Sequence, residues 1–411
     1  MKPIANPVSP GERSDILDIL RGFALLGVML DNLFGFSGWG FLPQSAKEAL
    51  PSWKMDAITG MLEQVFINGK FYSLFSLLFG IGFSIILFKQ GQKGVSALKV
   101  FYRRLFILLL IGAFHLFGLW EGDILFLYAL IGFILPLFRH LTDRQLIITA
   151  IILIGSPLLF DLSSILFHYK NGQFLEKLAQ QIDQQNGIPI NDDYAYYLYR
   201  NGAGWTEWRN WQESGFLYRY AYILDSNRIP KVLGMFLTGF WAGRRMIYTR
   251  LEENITLFKQ CRRWGLIIGI PSAAACFYFE FFQPHIPRPI GILHTLFYAT
   301  SVVPLCLAYT SMICLRWNRK NGKSRLKWLA PMGRMALTNY LMQTLIGILI
   351  YYGIGLGFGS TIGPSLFVPI GIGVYLLQVA YSHLWFRYFN FGPMEWLWRM
   401  ATYGKWLRLK K

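Results

Sequence analysis

The chain has 411 residues, of which 54% are hydrophobic, 17% aromatic and only 15% charged. This composition excludes a soluble globular protein of that length and indicates an all-α, polytopic integral membrane protein. The net charge of +18 does not by itself indicate a nucleic-acid partner, because basic residues of membrane proteins collect in the loops of one side.

Apolar windows of membrane length recur along the whole chain. The first fifteen residues form a polar tail without the apolar core of a signal peptide, so we expect the first window to be retained. Ten windows lie at residues 16–36, 71–88, 101–119, 123–138, 145–167, 230–246, 264–282, 289–315, 333–357 and 362–386.

Basic residues alternate between the connections of these windows. They collect at 89–104, 244–263 and 316–334 and in the tail 405–411, whereas the short hairpin 121–123 has two acids and no base. Because Lys and Arg accumulate on the cytosolic side, the alternation predicts ten transmembrane helices with both termini in the cytosol.

The first window contains polar residues that are costly inside a bilayer. Asp18 and Arg21 are one helical turn apart and are expected to pair. Asn32, which follows Asp31, lies eleven positions after Arg21 and therefore on the same helical face. Two interpretations stay open: the stripe lines a binding path, or Arg21 reaches the headgroups and only sets the topology.

The second window has small residues at a spacing of four, namely Ser76, Gly80 and Ser84. Such a stripe lets another helix approach closely, so we expect it to be a packing face. Gly80 and Gly82 together also suit a place where a ligand passes close to the backbone.

The aromatic-rich insertion at 168–229 is expected on the outer side, where Tyr and Trp favour the membrane interface. It is either an interfacial cap or a lid over an outward-facing site. The chain thus divides into residues 1–229, with five spans and this insertion, and residues 230–411, with five spans and a basic amphipathic tail.

His115 and the two acids that follow it, Glu121 and Asp123, are the residues most suggestive of catalysis. A carboxylate beside an imidazole holds its tautomer and raises its basicity, as a general base requires. The alternative is a histidine that only bonds two helices together. His294 is the second choice among the six histidines.

No metal site is expected, because neither the histidines nor the four cysteines show the spacing of a metal-ligand set. Asn339 and Gln343 lie one turn apart within an apolar span, where they either bridge helices or line a polar cavity. Arg399 belongs to an amphipathic segment at the interface, or it meets an anionic cofactor together with the basic loop 316–334.

Several separated motifs resemble the YeiB-like family of bacterial membrane proteins with a C-terminal DUF418 domain. They are LeuAspIleLeuArgGlyPheAlaLeuLeuGly at 17–27, LeuPheSerLeuLeuPheGlyIleGlyPhe at 74–83, the segment from His115 to Tyr128, GlyArgMetAlaLeuThrAsnTyrLeu at 333–341 and GlyProMetGluTrpLeuTrpArg at 392–399. The resemblance implies a multi-pass protein of the bacterial plasma (inner) membrane. More remotely, the opening Asp18-x-x-Arg21-Gly resembles heparan glucosaminide acetyltransferase and the acyltransferase-3 group.

The remote resemblance implies transfer of an acyl group from cytosolic acyl-CoA, such as acetyl-CoA, to a sugar or other small acceptor at the outer face. Where the acyltransferase-3 group has a histidine, this chain has Asn32, so we expect His115 with Asp123 or Glu121 to supply the base. Arg21 and other cytosolic basic residues would bind the donor, while Asn32, Asn339 and Gln343 would line the path.

Two other functions stay open: a small-molecule transporter using the same polar groups, and a non-catalytic membrane organiser. The expected partners are the lipid bilayer and a small-molecule or glycan acceptor, with a homodimer as one possible assembly and no nucleic acid.

Overall fold

The structure is a computed structural model that describes residues 14–92, 96–200, 202–282, 289–319 and 321–411, and its regular elements in these ranges are helices. The expected polar tail at residues 1–13 lies outside the described ranges. The helices of the first half are α1 (Asp15–Phe36), α2 (Gln44–Glu48), α3 (Trp53–Phe66), α4 (Lys70–Gln92), α5 (Ala97–Gly118), α6 (Leu125–Ile134), α7 (Asp143–Gly155), α8 (Pro157–Phe167), α9 (Gln173–Gln185), α10 (Tyr194–Tyr199) and α11 (Trp205–Asp225).

The second half continues directly from the last of these helices, and 3-10 turns complete several of the connections. Its helices are α12 (Arg228–Arg244), α13 (Ile255–Phe282), α14 (Pro289–Trp317), α15 (Gly322–Leu326), α16 (Ala330–Arg334), α17 (Ala336–Tyr351), α18 (Pro364–Tyr388) and α19 (Pro393–Tyr403).

Helices cover most of each predicted apolar window. Within the described ranges, six stretches are long and apolar enough to cross a membrane, and α6 and α17 are shorter apolar helices. The predicted membrane character is therefore supported, whereas the count of ten and the orientation stay predictions. The six stretches are Asp15–Phe36, Trp53–Phe88, Ala97–Gly118, Asp143–Phe167, Gly291–Trp317 and Pro364–Tyr388.

Local sequence explains where several helices begin and end. The Ser96 side chain accepts the backbone N–H of Lys99 at the start of α5. Thr142 and Gln145 form a reciprocal capping box that begins α7. At the end of α19, Gly404 adopts a φ of 63°, a conformation that favours glycine.

The centre of the fold is a close contact between α4 and α12. A Cβ at Gly80 would overlap the backbone oxygen of Phe236, and a Cβ at Gly243 would overlap the hydroxyl of Ser84. Backbones approach this closely only where small residues meet, so the predicted packing role of the small-residue stripe is confirmed. Gly82 points elsewhere, because a Cβ there would have nothing within 4 Å.

The described residues of the insertion at 168–229 are mostly helical and cover one end of the bundle. Its buried Trp211 packs in a cluster with Tyr199, Phe36 and Trp120. The Tyr199 hydroxyl donates to the Gly35 carbonyl at the end of α1, at 2.9 Å. The insertion is therefore an ordered cap on α1 and on the hairpin between α5 and α6.

Candidate functional site

A cavity of about 1300 Å³ opens between α1, α4, α5, α12 and α19. Its walls are mostly apolar, and Tyr72, Tyr128 and Tyr340 lie among them. Its charged lining has six arginines against three acids, which makes it a basic cavity. The arginines are Arg21, Arg104, Arg139, Arg244, Arg334 and Arg399, and the acids are Asp15, Asp18 and Glu395.

The arginines define one end of the cavity, here called the rim. Arg21 is near the start of α1, Arg104 is near the start of α5 and Arg244 is the last residue of α12. Along α4 the lining extends from Phe88 back to Tyr72, sixteen positions earlier, which corresponds to about 24 Å of helix rise. That length is most of the thickness of a bilayer's hydrocarbon core, which is about 30 Å.

Arg21 pairs with Asp18 as predicted. Its Nη1 donates to Asp18 Oδ1 at 2.6 Å, and the Asp18 side chain is only 3% exposed. The cavity then follows α1 past Leu25 and Val28 but ends one turn before Asn32. The predicted polar stripe thus meets the cavity at its Arg21 end and not at its Asn32 end.

Asp31, the neighbour of Asn32, faces the turn between α3 and α4. Its carboxylate accepts from Asn68 Nδ2 at 3.3 Å, which ties α1 to the segment that precedes α4. Asp31 and Asn32 are both half-buried and do not line the cavity.

Three buried side chains form what we call the histidine network: Asp123, His115 and Thr344. His115 Nδ1 lies 2.8 Å from Asp123 Oδ1, and His115 Nε2 lies 2.8 Å from Thr344 Oγ1. The other Asp123 oxygen accepts the Phe126 N–H at 2.6 Å. A carboxylate that orients an imidazole beside a hydroxyl is an arrangement that activates hydroxyl groups.

The histidine network lies behind the wall of the cavity. His115 is 0% exposed, and neither it nor Asp123 lines the cavity. The Tyr340 ring lines the cavity and has its centroid 5.2 Å from that of His115, and Ile124, next to Asp123, also lines it. One tyrosine ring therefore separates the predicted base from the inner end of the cavity.

Glu121, the other acid considered for His115, contacts the cap instead. Its carboxylate accepts from Trp211 Nε1 at 3.1 Å and from Gln212 Nε2 at 3.4 Å. Burial raises the pKa of Glu121, while these hydrogen bonds oppose the rise. The structure thus brings Asp123, and not Glu121, to His115.

Asn339 and Gln343 bridge two helices. Asn339 Nδ2 donates to Ser382 Oγ at 3.0 Å, and Gln343 Nε2 donates to Gln378 Oε1 at 3.0 Å. Gln378 Nε2 returns a bond to the Asn339 carbonyl at 3.1 Å. Both amides lie between α17 and α18 and neither lines the cavity.

Of the last two predicted residues, Arg399 lines the cavity and His294 does not. His294 stacks on Tyr298, with the two ring centroids 6.2 Å apart, and neither lines the cavity. Arg399 is at the rim, with its guanidinium 5.1 Å from the Phe391 ring centroid.

Glu395, also at the rim, accepts the N–H of Leu337 at 2.7 Å and so caps the start of α17. Burial raises the pKa of Glu395, whereas the hydrogen bonds that its carboxylate accepts oppose the rise. In the described part of the chain, no group of three or more His, Cys, Asp or Glu side chains is arranged to hold a metal ion.

The chain is similar to known sequences along both of its halves. A family model described as "Protein of unknown function (DUF418)" matches residues 242–405. The chain is 32% identical over 424 residues to "Uncharacterized protein YxaH" of Bacillus subtilis (strain 168), with 98% of each chain covered. It is 29% identical over 422 residues to "Uncharacterized protein YeiB" of Escherichia coli (strain K12), with 95% of this chain and 96% of that protein covered.

Proposed function

We propose that this chain, which belongs to the YeiB-like DUF418 family, is a membrane acyltransferase that takes its acyl group from acyl-CoA. The observation that carries the proposal is the shape and charge of the cavity, with six arginines at or near one end and an apolar interior that ends beside the histidine network. Acyl-CoA has the matching chemistry, with phosphates at one end and an acyl thioester on a long arm at the other.

The size and charge of the cavity support this donor. Its volume of about 1300 Å³ exceeds the roughly 300–1,000 Å³ typical of small-ligand pockets, so a long cofactor suits it better than a small metabolite. Arginine binds phosphate oxygens through two parallel hydrogen bonds, which favours the rim as the position of the nucleotide. The thioester would then lie near Tyr340.

The histidine network supplies the proton transfer in this proposal. The acceptor hydroxyl or amine attacks the thioester carbonyl, and its proton passes through the Thr344 hydroxyl to His115 Nε2. Asp123 stabilises the imidazolium, which then returns a proton to the departing CoA thiolate. Because Tyr340 separates His115 from the cavity, its ring must move aside for this step.

Donor binding is tested first, with purified protein in nanodiscs and labelled acetyl-CoA. Arg399→Gln removes a rim charge and is expected to weaken binding tenfold or more, since a charge-assisted hydrogen bond contributes about 1.5–3 kcal/mol. Arg209→Gln is the matched control, because the Arg209 side chain is 72% exposed on α11 and does not line the cavity. Equal binding by both variants would refute the rim as the donor site.

Turnover is tested next, with a panel of glycan and amine acceptors. Thr344→Val and His115→Ala are expected to abolish transfer, and Thr344→Val is expected to retain donor binding because it replaces a buried hydroxyl by a methyl group of similar size. Transfer by His115→Ala at the wild-type rate would remove the catalytic assignment.

A transport function is the second candidate, because the cavity extends over about 24 Å along α4. In proteoliposomes, flux of a small molecule in the absence of an acyl donor would favour transport over acyl transfer. Transfer of label without such flux would favour the enzyme.

A further inference from the structure

Two arginines lie at the end of the bundle that faces away from the rim. Arg219 is on α11 in the cap, and Arg228 is the first residue of α12. Arg228 is 9% exposed, and the Nε atoms of both arginines are buried without a hydrogen-bond partner. Because α12 ends at Arg244 on the rim, Arg228 is about 24 Å of helix rise away from it.

Aromatic rings, rather than carboxylates, surround this arginine pair. The Arg228 guanidinium carbon is 4.7 Å from the Tyr72 ring centroid and 5.0 Å from that of Tyr222. Arg228 Nη2 donates to the Tyr222 hydroxyl at 3.3 Å, and Arg219 Nη2 donates to the Gly122 carbonyl at 3.4 Å. In the described part of the chain, neither arginine forms an ion pair within 4.0 Å.

The nearest acids do not neutralise the pair directly. Asp123 is bound by His115, Glu121 by Trp211, and Asp31 by Asn68. These carboxylates act on the arginines at longer range, while the two guanidinium groups repel each other. One buried and one half-buried cation, each with a buried Nε atom and no directly bonded anion, are costly, and such a cost indicates a site for a charged ligand.

We propose that Arg219 and Arg228 bind the phosphate group of a ligand that enters from the side of the cap. A phosphate monoester carries a charge of about −1.5 to −2, which matches two guanidinium groups better than one carboxylate does. Its oxygens accept paired hydrogen bonds from guanidinium, and the buried Nε atoms are suitable donors. Tyr222 is 50% exposed and lies over both arginines, so its ring marks the entry to the site.

This site is distinct from the donor cavity, although the two are neighbours. Tyr72 lines the cavity and also lies beside Arg228. If the chain transfers acyl groups, a phosphate held here would anchor the acceptor on the far side of Tyr72 from the donor. This last step depends on the proposed function, whereas phosphate binding by the arginine pair does not.

Binding is measured by the rise in the thermal unfolding midpoint of the full chain in nanodiscs, because a ligand that binds only the folded state stabilises it. Two probes distinguish the source of the phosphate: glycerol 3-phosphate in solution and phosphatidic acid in the nanodisc, against phosphatidylcholine alone. At least one probe is expected to stabilise the wild type. Stabilisation by neither probe overturns the proposal.

Variants place the binding at the arginine pair. Arg219→Gln and Arg228→Gln are expected to raise the apparent Kd of the active probe about tenfold or more, as loss of one bidentate contact predicts. Arg219 is half-buried, so Arg219→Gln remains informative if Arg228→Gln fails to fold. Arg209→Gln on the same helix is expected to bind like the wild type, since its side chain is 72% exposed.

The rim supplies the decisive control, because it also carries arginines. If Arg399→Gln abolishes the stabilisation and Arg219→Gln leaves it intact, the phosphate binds in the cavity and the proposal is wrong. If acetyl-CoA binds but neither phosphate probe does, the proposed function survives and this site does not. If a phosphate probe binds but acetyl-CoA does not, this site survives and the proposed function does not.

Discussion

The cavity and the histidine network lie on opposite sides of Tyr340. They differ in whether their polar groups are paired within the protein. In the network, both ring nitrogens of His115 and both oxygens of Asp123 have hydrogen-bond partners inside the protein. The cavity instead holds more cations than acids around an open volume of about 1300 Å³.

This difference separates residues that position from residues that bind. A buried polar group that is fully satisfied rigidifies its surroundings, whereas an excess of charge beside open space suits a ligand. Mutations in the network are therefore expected to change stability first, and mutations in the cavity are expected to change binding first.

Breaking the network has the largest expected effect on stability. Asp123→Ala leaves His115 Nδ1 and the Phe126 N–H without their acceptor, and removal of one partner from a buried pair costs about 3–5 kcal/mol. Unfolding of the purified protein, followed by tryptophan fluorescence, measures the loss. Glu253→Ala is the control, since the Glu253 side chain is 69% exposed, and it is expected to change stability little. A loss below about 1 kcal/mol in Asp123→Ala would show that the network is not a stabilising unit.

Helix α4 allows the same comparison within a single helix, because one of its faces packs against α12 and the other lines the cavity. Gly80→Ala puts a methyl group against the Phe236 carbonyl and is expected to cost about 1–3 kcal/mol by overpacking. Gly82→Ala, two residues further along, meets nothing within 4 Å and is expected to keep stability or to raise it by up to about 1 kcal/mol, since alanine favours a helix over glycine.

A larger side chain at Gly82 tests the cavity itself, because Gly82 lines the cavity. Gly82→Leu is expected to fold normally and to weaken acetyl-CoA binding about tenfold, since the side chain fills volume that the donor needs. Equal losses of stability in Gly80→Ala and Gly82→Ala would contradict the division of α4 into a packing face and a cavity face.

Local interactions were the most predictable from the sequence. The apolar windows predicted where helices form, because membrane length and hydropathy depend on contiguous residues. Asp18 and Arg21 are one turn apart, and His115 and Asp123 are joined by a short hairpin, so both pairs were accessible from spacing alone. Spacing left both Glu121 and Asp123 open as partners of His115, and the direction of the hairpin decides for Asp123.

Long-range partners were not accessible in this way. Thr344 lies 229 residues after His115, and only the packing of α5 against α17 brings them together. Arg219 and Arg228 lie among many aromatic residues, so the sequence there suggested a membrane interface rather than a buried pair. A single sequence carries no signal for such contacts, because they depend on how the helices pack against one another and not on the local sequence of each helix.

The smallest expected effect is a pH dependence of stability that arises from Glu121. This residue lies at the contact between the cap and the hairpin that joins α5 to α6. Burial raises the pKa of Glu121 above its ordinary value of 4.5, so over the interval between the two values the folded chain binds more protons than the unfolded chain. Stability therefore falls as the pH rises from about 4.5 through the raised pKa, and it is constant above that. Glu121→Gln is expected to remove this contribution, which is measured as the difference in unfolding midpoint between variant and wild type from pH 4.5 to 8.

Glu213→Gln controls for the loss of a carboxylate near the cap, because the Glu213 side chain is 50% exposed on the same helix as Trp211. It is expected to retain the wild-type slope. If Glu121→Gln also retains that slope, the hairpin does not couple protonation to the docking of the cap. The cap would then be held by contacts that do not titrate, such as the packing of Trp211 with Phe36 and Trp120 and the hydrogen bond from Tyr199 to Gly35, and its contact with the hairpin between α5 and α6 would be independent of pH.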